Sequence, residues 1–348
     1  MKNLILLWKH RTRKYGDLAR GYATVLRTFL RVRRWKRQHP GRPYVAVLLA
    51  EQFGDLVACE PIARYLRAQH PTARIAWIVR KPFRDVVAHH PDVDEVLVEH
   101  PDVLSSILLL RHNPFDRLYN LHLSNRLYLP THRRLVNPEA DRLGIDIFNY
   151  FQFGNLLQVF SRVGGLPVLD EPPRIYIPDT ARRRVDALAL PRRFVVIHGR
   201  SNYPPKDWSV AGWERLVRVL IDEFDLDVVE IGLESLLRID SPRYHDFCGK
   251  LALLETAELI RRAEFYIGID SGPAHFANAV GTFGFILLGR LGTFADYLPY
   301  SGDYATGRNA LLIRNPDGPA AELTFEQVWY SIRDRVRAGL RPASPVID

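Results

Sequence analysis

Short apolar runs recur along this chain, each followed by a stretch of helical periodicity, and this alternation limits the possible folds more than any other feature. "YVAVLLA" (44–50) is the first run, followed by "RIAWIV" (74–79), "DEVLV" (94–98) and "FDRLYNL" (115–121). Helical patterns cover 56–69, 82–89 and 103–110 between them. A continuously apolar run is expected of a strand buried on both faces, and strands alternating with helices imply right-handed βαβ units and a parallel sheet. Residues 122–145 are polar, Arg-rich and irregular. A helix is expected near 149–163, and "GGLPVLDEPPRIYIPD" (164–179) reads as an interdomain linker. The alternation then restarts, with strands at 193–198, 226–232, 264–269, 284–289 and 310–314. Helices are expected at 209–224, 255–263, from Pro273 to about Val280, and at 324–339, where Gly339 would stop the last one.

The fold class implied is α/β: two doubly wound parallel-sheet halves facing across a cleft, with ligands beyond the carboxyl ends of strands. A chain of 348 residues, 47% hydrophobic, supports two such domains. The expected division is a basic extension over 1–42, Rossmann-like domains over 43–170 and 171–325, and a terminal helix and tail over 326–348.

Residues 1–42 hold thirteen Lys or Arg and one acid, Asp17, for a charge of +12. The whole chain carries +9, so the remainder is at −3 and the basicity belongs to the extension. Within it Leu18, Tyr22, Val25, Leu26, Phe29 and Val32 recur at helical spacing, with Arg20, Arg27, Arg31 and Arg34 on the other side. Such a basic amphipathic helix either attaches to an anionic membrane surface or packs on the body with its cations solvated. No recognisable nucleic-acid module accompanies it, so no nucleic-acid partner is expected. Two cysteines, Cys59 and Cys248, point to a reducing, cytoplasmic setting without structural zinc. Neither a secretory signal nor a run of about 20 apolar residues is found.

Four loops at strand ends could carry chemistry. In "AEQFGDLVACEP" (50–61), Gly54 permits a tight turn, and Asp55 is either a helix N-cap or a general base. "HGRSNYPPKDWS" (198–209) offers Ser201, Asn202 and Lys206, the lysine either neutralising a phosphate or simply solvated; Trp208 packs the loop down. Glu234, after the next strand, either binds ribose hydroxyls or faces solvent. "IGIDSGPAHFANAVGT" (267–282) places Asp270 at a strand end, Ser271 and Gly272 at a helix start, Pro273 in its first turn and His275 one turn in. Its free amides and dipole favour an anion such as a phosphate, against the alternative of a well-capped helix with a buried histidine. "DVD" (92–94) and "DLD" (225–227) sit at strand starts, the wrong end for a ligand, and no P-loop, HExxH or GxSxG occurs.

These residues resemble the lipopolysaccharide heptosyltransferases, glycosyltransferase family 9. The resemblance runs over about 44–290. Its marks are Gly54-Asp55, "PIARYLRAQHPTARIAW" (61–77), "HHPDVDEVLV" (89–98), Lys206 with Trp208, and the signature Asp-Ser/Thr-Gly-x-x-His, met by Asp270, Ser271, Gly272 and His275. It implies a two-domain GT-B fold and inverting, metal-independent transfer, with no cofactor beyond a nucleotide-diphosphate sugar, ADP-heptose by family precedent, as co-substrate. Carried over, Asp55 is the base, and Lys206 with the Ser271-Gly272 helix start holds the diphosphate. Ser201 falls in the hydroxyl-rich loop, Glu234 meets the nucleoside, and Asp270 and His275 lie by the diphosphate or sugar. The acceptor would be an anionic lipid-linked saccharide such as a lipopolysaccharide core, met by Arg126, Arg133 and Arg134, unless these form an ordinary basic surface. The setting would be cytoplasmic, peripheral on the cytoplasmic face of the inner membrane. Two departures stand out: the basic extension, and "LGTFADYLPYSGDYATG" (291–307) where the family has a Gly-Pro-Thr-like loop. A different nucleotide sugar, a protein acceptor, or binding without turnover are the alternatives.

Overall fold

The computed structural model describes residues 2–99, 103–128 and 133–338. They form two compact units, and the division is not contiguous. The first comprises Met1–Gln52, Ile62–Tyr150 and Val159–Val168; the second comprises Phe53–Pro61, Phe151–Gln158 and Leu169–Asp348. Two short segments of the first half of the chain therefore belong with the second unit.

In the first unit, β1 (Tyr44–Leu48), β2 (Arg74–Arg80), β3 (Glu95–Glu99) and β4 (Arg117–Asn120) form a parallel sheet in the order β3-β2-β1-β4. Every residue of β1 is buried, as its unbroken apolar run requires. Strand order reverses between β1 and β4, so the loops after these two strands are neighbours. The irregular 122–145 stretch contains a short antiparallel pair, β5 (Leu127–Tyr128) and β6 (Arg133–Arg134).

The basic extension is one helix, Lys2–Gln38, longer than its apolar pattern suggests. Val32 and Trp35 are buried with Tyr44, Ala46, Leu109 and Phe115, and Val25 and Phe29 pack against that cluster. The Trp35 and Tyr44 rings meet edge-on at 5.3 Å. Lys36 bonds Asp116 at 2.7 Å, and Arg31 pairs with Glu95. One face of the helix thus packs on the body.

In the second unit, β7 (Phe194–His198), β8 (Asp227–Glu230), β9 (Tyr244–Asp246), β10 (Tyr266–Ile269), β11 (Gly284–Gly289) and β12 (Ala310–Asn315) form a parallel sheet, ordered β12-β11-β10-β7-β8-β9. The order reverses between β7 and β10, so the loops after these two strands are neighbours. Trp213, Leu216 and Leu220 of the helix Val210–Phe224 pack on Val195, Ile197, Ile267 and Ile269 of this sheet.

Three elements differ from expectation. β9 is an edge strand of half-buried Tyr244, His245 and Asp246, with no apolar run to announce it. The helix expected at 149–163 is split into a turn of 3-10 helix, Tyr150–Phe153, and the helix Leu156–Val163, because Gly154 between them takes φ +116°. The expected linker ends in a helix, Asp179–Asp186, whose only buried side chains are Ala181 and Val185. The last helix, Phe325–Arg337, starts from a Thr324–Gln327 capping box. Gly339, its expected stop, lies outside the described residues.

Candidate active site

The loops after β7 and β10 bring together the residues singled out in "HGRSNYPPKDWS" and "IGIDSGPAH". Lys206 ends a 3-10 turn, Pro204–Lys206, and its Nζ lies 2.6 Å from Oδ2 of Asp270, the residue following β10. Tyr297 donates a hydrogen bond to the same oxygen at 3.0 Å, and Tyr300 reaches Oδ1 at 3.4 Å. Burial, the largest single influence, raises the Asp270 carboxyl, but the Lys206 charge, the neighbouring His275 and the hydrogen bonds from Lys206 and Tyr297 together outweigh it and hold the pKa below the usual carboxylate range. Asp270 is therefore a buried anion whose partners fix the lysine at the strand end. Both tyrosines come from the stretch that departs from the family pattern, and no sequence spacing pointed to them.

Ser271 takes the N-cap position of the helix Gly272–Val280, but its hydroxyl does not cap the helix. Instead Oγ meets Nδ1 of His198, the last residue of β7, at 3.0 Å, and donates to the Ile269 carbonyl at 3.2 Å. The helix start thus keeps its amides free of the serine side chain. His275 lies buried one turn in, its ring tilted 4.8 Å from that of Tyr300. Its Nδ1 finds no hydrogen-bond partner among the described residues.

Burial depresses His198 and His275 to about 4, so both imidazoles are neutral at physiological pH. A histidine that is harder to protonate folded than unfolded withdraws stability as pH falls between the two pKa values. Each should cost about 3 kcal/mol between pH 6.5 and 4. Thermal midpoints measured across that range should fall with acidification, and His275→Gln should flatten the slope.

Asp55 lies in this unit too, on the helix Phe53–Ala58. It occupies the first turn rather than the expected N-cap, since the helix begins two residues earlier. The side chain is partly exposed, and its charge, after burial, helps push the Cys59 thiol up. Gly54 corrects a second expectation: it makes no turn but allows close approach. A Cβ there would lie 3.0 Å from His275 Cδ2 and 3.2 Å from Gly272 Cα. Gly272 does the same for Phe53, whose ring a Cβ at 272 would overlap and which stacks on Phe276 at 4.9 Å. The two glycines seat the Asp55 helix directly on the start of the helix that carries His275. Gly272→Ala should cost about 1–3 kcal/mol in denaturant unfolding, and Phe53→Ala in the same chain should make that second substitution nearly neutral.

Other expected residues stand apart. Ser201 Oγ is engaged by Asp207 Oδ1 at 2.7 Å and the Tyr203 carbonyl at 2.9 Å, so it shapes the loop. Trp208 is buried, and its indole donates to the Leu323 carbonyl at 2.7 Å. Glu234 is 83% exposed and sits 3.7 Å from Arg200, as a solvent-facing acid would. In the first unit, Arg133 and Arg134 lie on β6, Arg134 exposed.

Arg126 is bound to Glu51 at 2.6 Å, and Tyr128 donates to the same carboxylate at 2.6 Å. Burial raises the Glu51 carboxyl against the opposing charge of Arg126. Beside them buried His122 accepts the Ala50 amide on Nε2 at 3.0 Å and meets Asn120 through Nδ1 at 2.9 Å. Burial, then the nearby Arg126 charge, pushes His122 down to about 3. Glu51, His122 and Tyr128 were not singled out in the sequence, although the first two lie in the loops that follow β1 and β4.

One group with metal-ligand atoms occurs among the described residues: Glu230, Asp246 and Cys248, within 4.8 Å of one another. Sequence spacing hid it, because β9 brings Asp246 alongside Glu230. Ser235 and the Leu236 amide already occupy the Glu230 carboxylate, and burial keeps the Cys248 thiol protonated. That chemistry suits a hydrogen-bonded core cluster better than a metal centre.

The profile of glycosyltransferase family 9 (heptosyltransferase) matches residues 152–283, which contain Lys206, Asp270 and His275. Lipopolysaccharide heptosyltransferase 3 of Escherichia coli is 22% identical over 268 residues, 66% of this chain and 78% of that protein. Among solved structures, the family 9 glycosyltransferase of Veillonella parvula superposes with a TM-score of 0.60 at 17% identity, covering 85% of this chain and 97% of that one. The E. coli ADP-heptose LPS heptosyltransferase II superposes at 0.58, also at 17% identity, covering 85% and 99%. The two parallel-sheet units are the halves of a GT-B fold. With the Asp-Ser-Gly-x-x-His signature seated at the strand-order reversal, the chain is similar to the lipopolysaccharide heptosyltransferases of glycosyltransferase family 9 and is a glycosyltransferase.

Proposed function

We propose that this enzyme transfers a heptose, with inversion and without a metal, from ADP-heptose to an anionic lipid-linked saccharide of the lipopolysaccharide-core type. The observation that carries the reading is the seating of the Asp55 helix on the Gly272–Val280 helix start, beside the Lys206–Asp270 pair. A base and an anion site then belong to one rigid assembly. In the reaction an acceptor hydroxyl attacks the anomeric carbon while the bond from that carbon to the diphosphate oxygen breaks. Asp55 takes the hydroxyl proton, and the electron pair leaves with ADP. Charge grows on the departing diphosphate, where the Lys206 ammonium and the free amides at Ser271-Gly272 are fixed in advance. These groups supply the neutralisation that a divalent cation supplies elsewhere. Neutral His275, with its open Nδ1, can hydrogen-bond donor oxygens without adding charge.

On the acceptor side, Arg126, Arg133 and Arg134 are proposed to meet anionic groups of the saccharide, Arg126 from its seat on Glu51. Glu234 and Ser201 are assigned the outer nucleoside edge and the loop that positions Lys206. The enzyme is placed in the cytoplasm, at the membrane that bears such an acceptor. Purified protein offered ADP-heptose and UDP-, GDP- and dTDP-sugars, with EDTA throughout, should use ADP-heptose alone. Turnover abolished by EDTA would remove the metal-free mechanism, and preference for another nucleotide would remove the donor assignment.

A further inference from the structure

The N-terminal helix has three faces. Gly21, Thr28, Val32 and Trp35 form the one turned into the body. By helical spacing, Tyr15, Tyr22, Leu26 and Leu30 share a second, and they are 58–67% exposed. Between these faces runs a third, of exposed Arg20, Arg27 and Arg34. A single exposed leucine is unremarkable, but four large apolar side chains in one stripe call for a partner. The stripe borders a groove of about 640 Å³ in which Leu26 and Leu30 face Arg33, Lys36, Arg37 and Pro114.

We propose that this surface docks on an anionic lipid bilayer. The helix lies flat in the interface, with Tyr15, Tyr22, Leu26 and Leu30 among the headgroups and Arg27, Arg33, Arg34 and Arg37 on lipid phosphates. The charge balance selects this partner. Thirteen cations and one acid over residues 1–42 leave almost no counter-charge, so two copies meeting through this helix would bring like charges together. Nucleic acid would answer the arginines but leave the apolar stripe in water. A bilayer surface answers both at once. The helix does not enter further, since no described helix is long and apolar enough to cross a membrane. In naming the acceptor's membrane as partner, the inference rests on the lipid-linked acceptor proposed above, but its test needs no acceptor.

Full-length protein should sediment with vesicles of phosphatidylcholine plus phosphatidylglycerol, not with phosphatidylcholine alone, and salt should weaken the binding. Tyr22→Ser/Leu26→Ser/Leu30→Ser should lower vesicle affinity more than about tenfold, with an unchanged melting temperature because these side chains are exposed. Arg27→Gln/Arg34→Gln should lower it by about fivefold per cation. Both variants should keep transfer to a water-soluble acceptor fragment. Equal binding to the two vesicle types, or binding unchanged in the serine variant, overturns the proposal. So does a dimer in solution that the serine variant dissociates while vesicles stay unbound. Should the unsubstituted protein bind anionic vesicles but transfer nothing to the soluble acceptor, the transferase reading fails and the docking surface stands.

Discussion

Asp55→Asn is expected to lower kcat by about 10²–10⁴-fold, the range a positioned general base contributes. The amide is nearly isosteric and cannot accept the acceptor's proton at neutral pH. Donor binding should survive, because the proposed anion site rests on Lys206, Asp270 and the Gly272–Val280 helix start, none of which is altered. The measurement is therefore paired: single-turnover transfer, and the rise in melting temperature on adding ADP. Loss of transfer with an intact ADP shift assigns the base. Near-normal transfer would remove Asp55 from that role and turn attention to Glu51, the other carboxylate of the same loop, which burial holds in its proton-binding direction.

Lys206→Met should have the second-largest effect, on two readouts at once. Transfer should fall by about 10²–10³-fold, the loss seen when one preorganised partner of a developing charge is removed. Stability should also fall, by about 3 kcal/mol, because Asp270 is left buried and ionised with only tyrosine hydroxyls for partners. The pH dependence separates the two roles. In the unsubstituted enzyme the Asp270 pKa is depressed, so the pair's contribution is full above the ordinary carboxylate value and is lost as pH falls through the lower folded value. Without the lysine, burial leaves the carboxyl raised, so its neutralisation offsets part of the loss that His198 and His275 cause on acidification, and stability should fall less steeply with pH in the variant than in the unsubstituted enzyme. Adding Asp270→Asn to Lys206→Met should restore stability without restoring transfer. Recovery of both would mean that the lysine only holds the fold.

How far these features can be seen in the sequence depends on burial and on distance along the chain. β1, β7 and β11 announce themselves because every residue in them is buried, so no polar residue interrupts the run. β9 does not, since an edge strand with half-buried polar residues lacks that signature. Within the site, Asp55, Lys206 and the Asp270–His275 motif are readable because each is a short cluster at a strand end. Tyr297 and Tyr300 are not, because they converge on Asp270 from 27 and 30 residues further along. Gly54 shows the same limit from another side. A glycine before an acid reads as a turn; its actual reason is residue 272, more than two hundred positions away, which only the folded chain brings near.

That long-range seating has a consequence for recombination among relatives. The expected linker near residue 170 looks like the natural place to exchange halves, giving one enzyme's acceptor specificity another's donor. Yet Phe53–Pro61 packs as part of the second unit. A chimera cut only at the linker would inherit a foreign Phe53 against its own Gly272, and a foreign Asp55 with it. Exchanges that carry residues 53–61 with the donor half should yield active hybrids where single-crossover ones fail. The module proposed for donor use is thus a split one, stitched from three stretches of the gene.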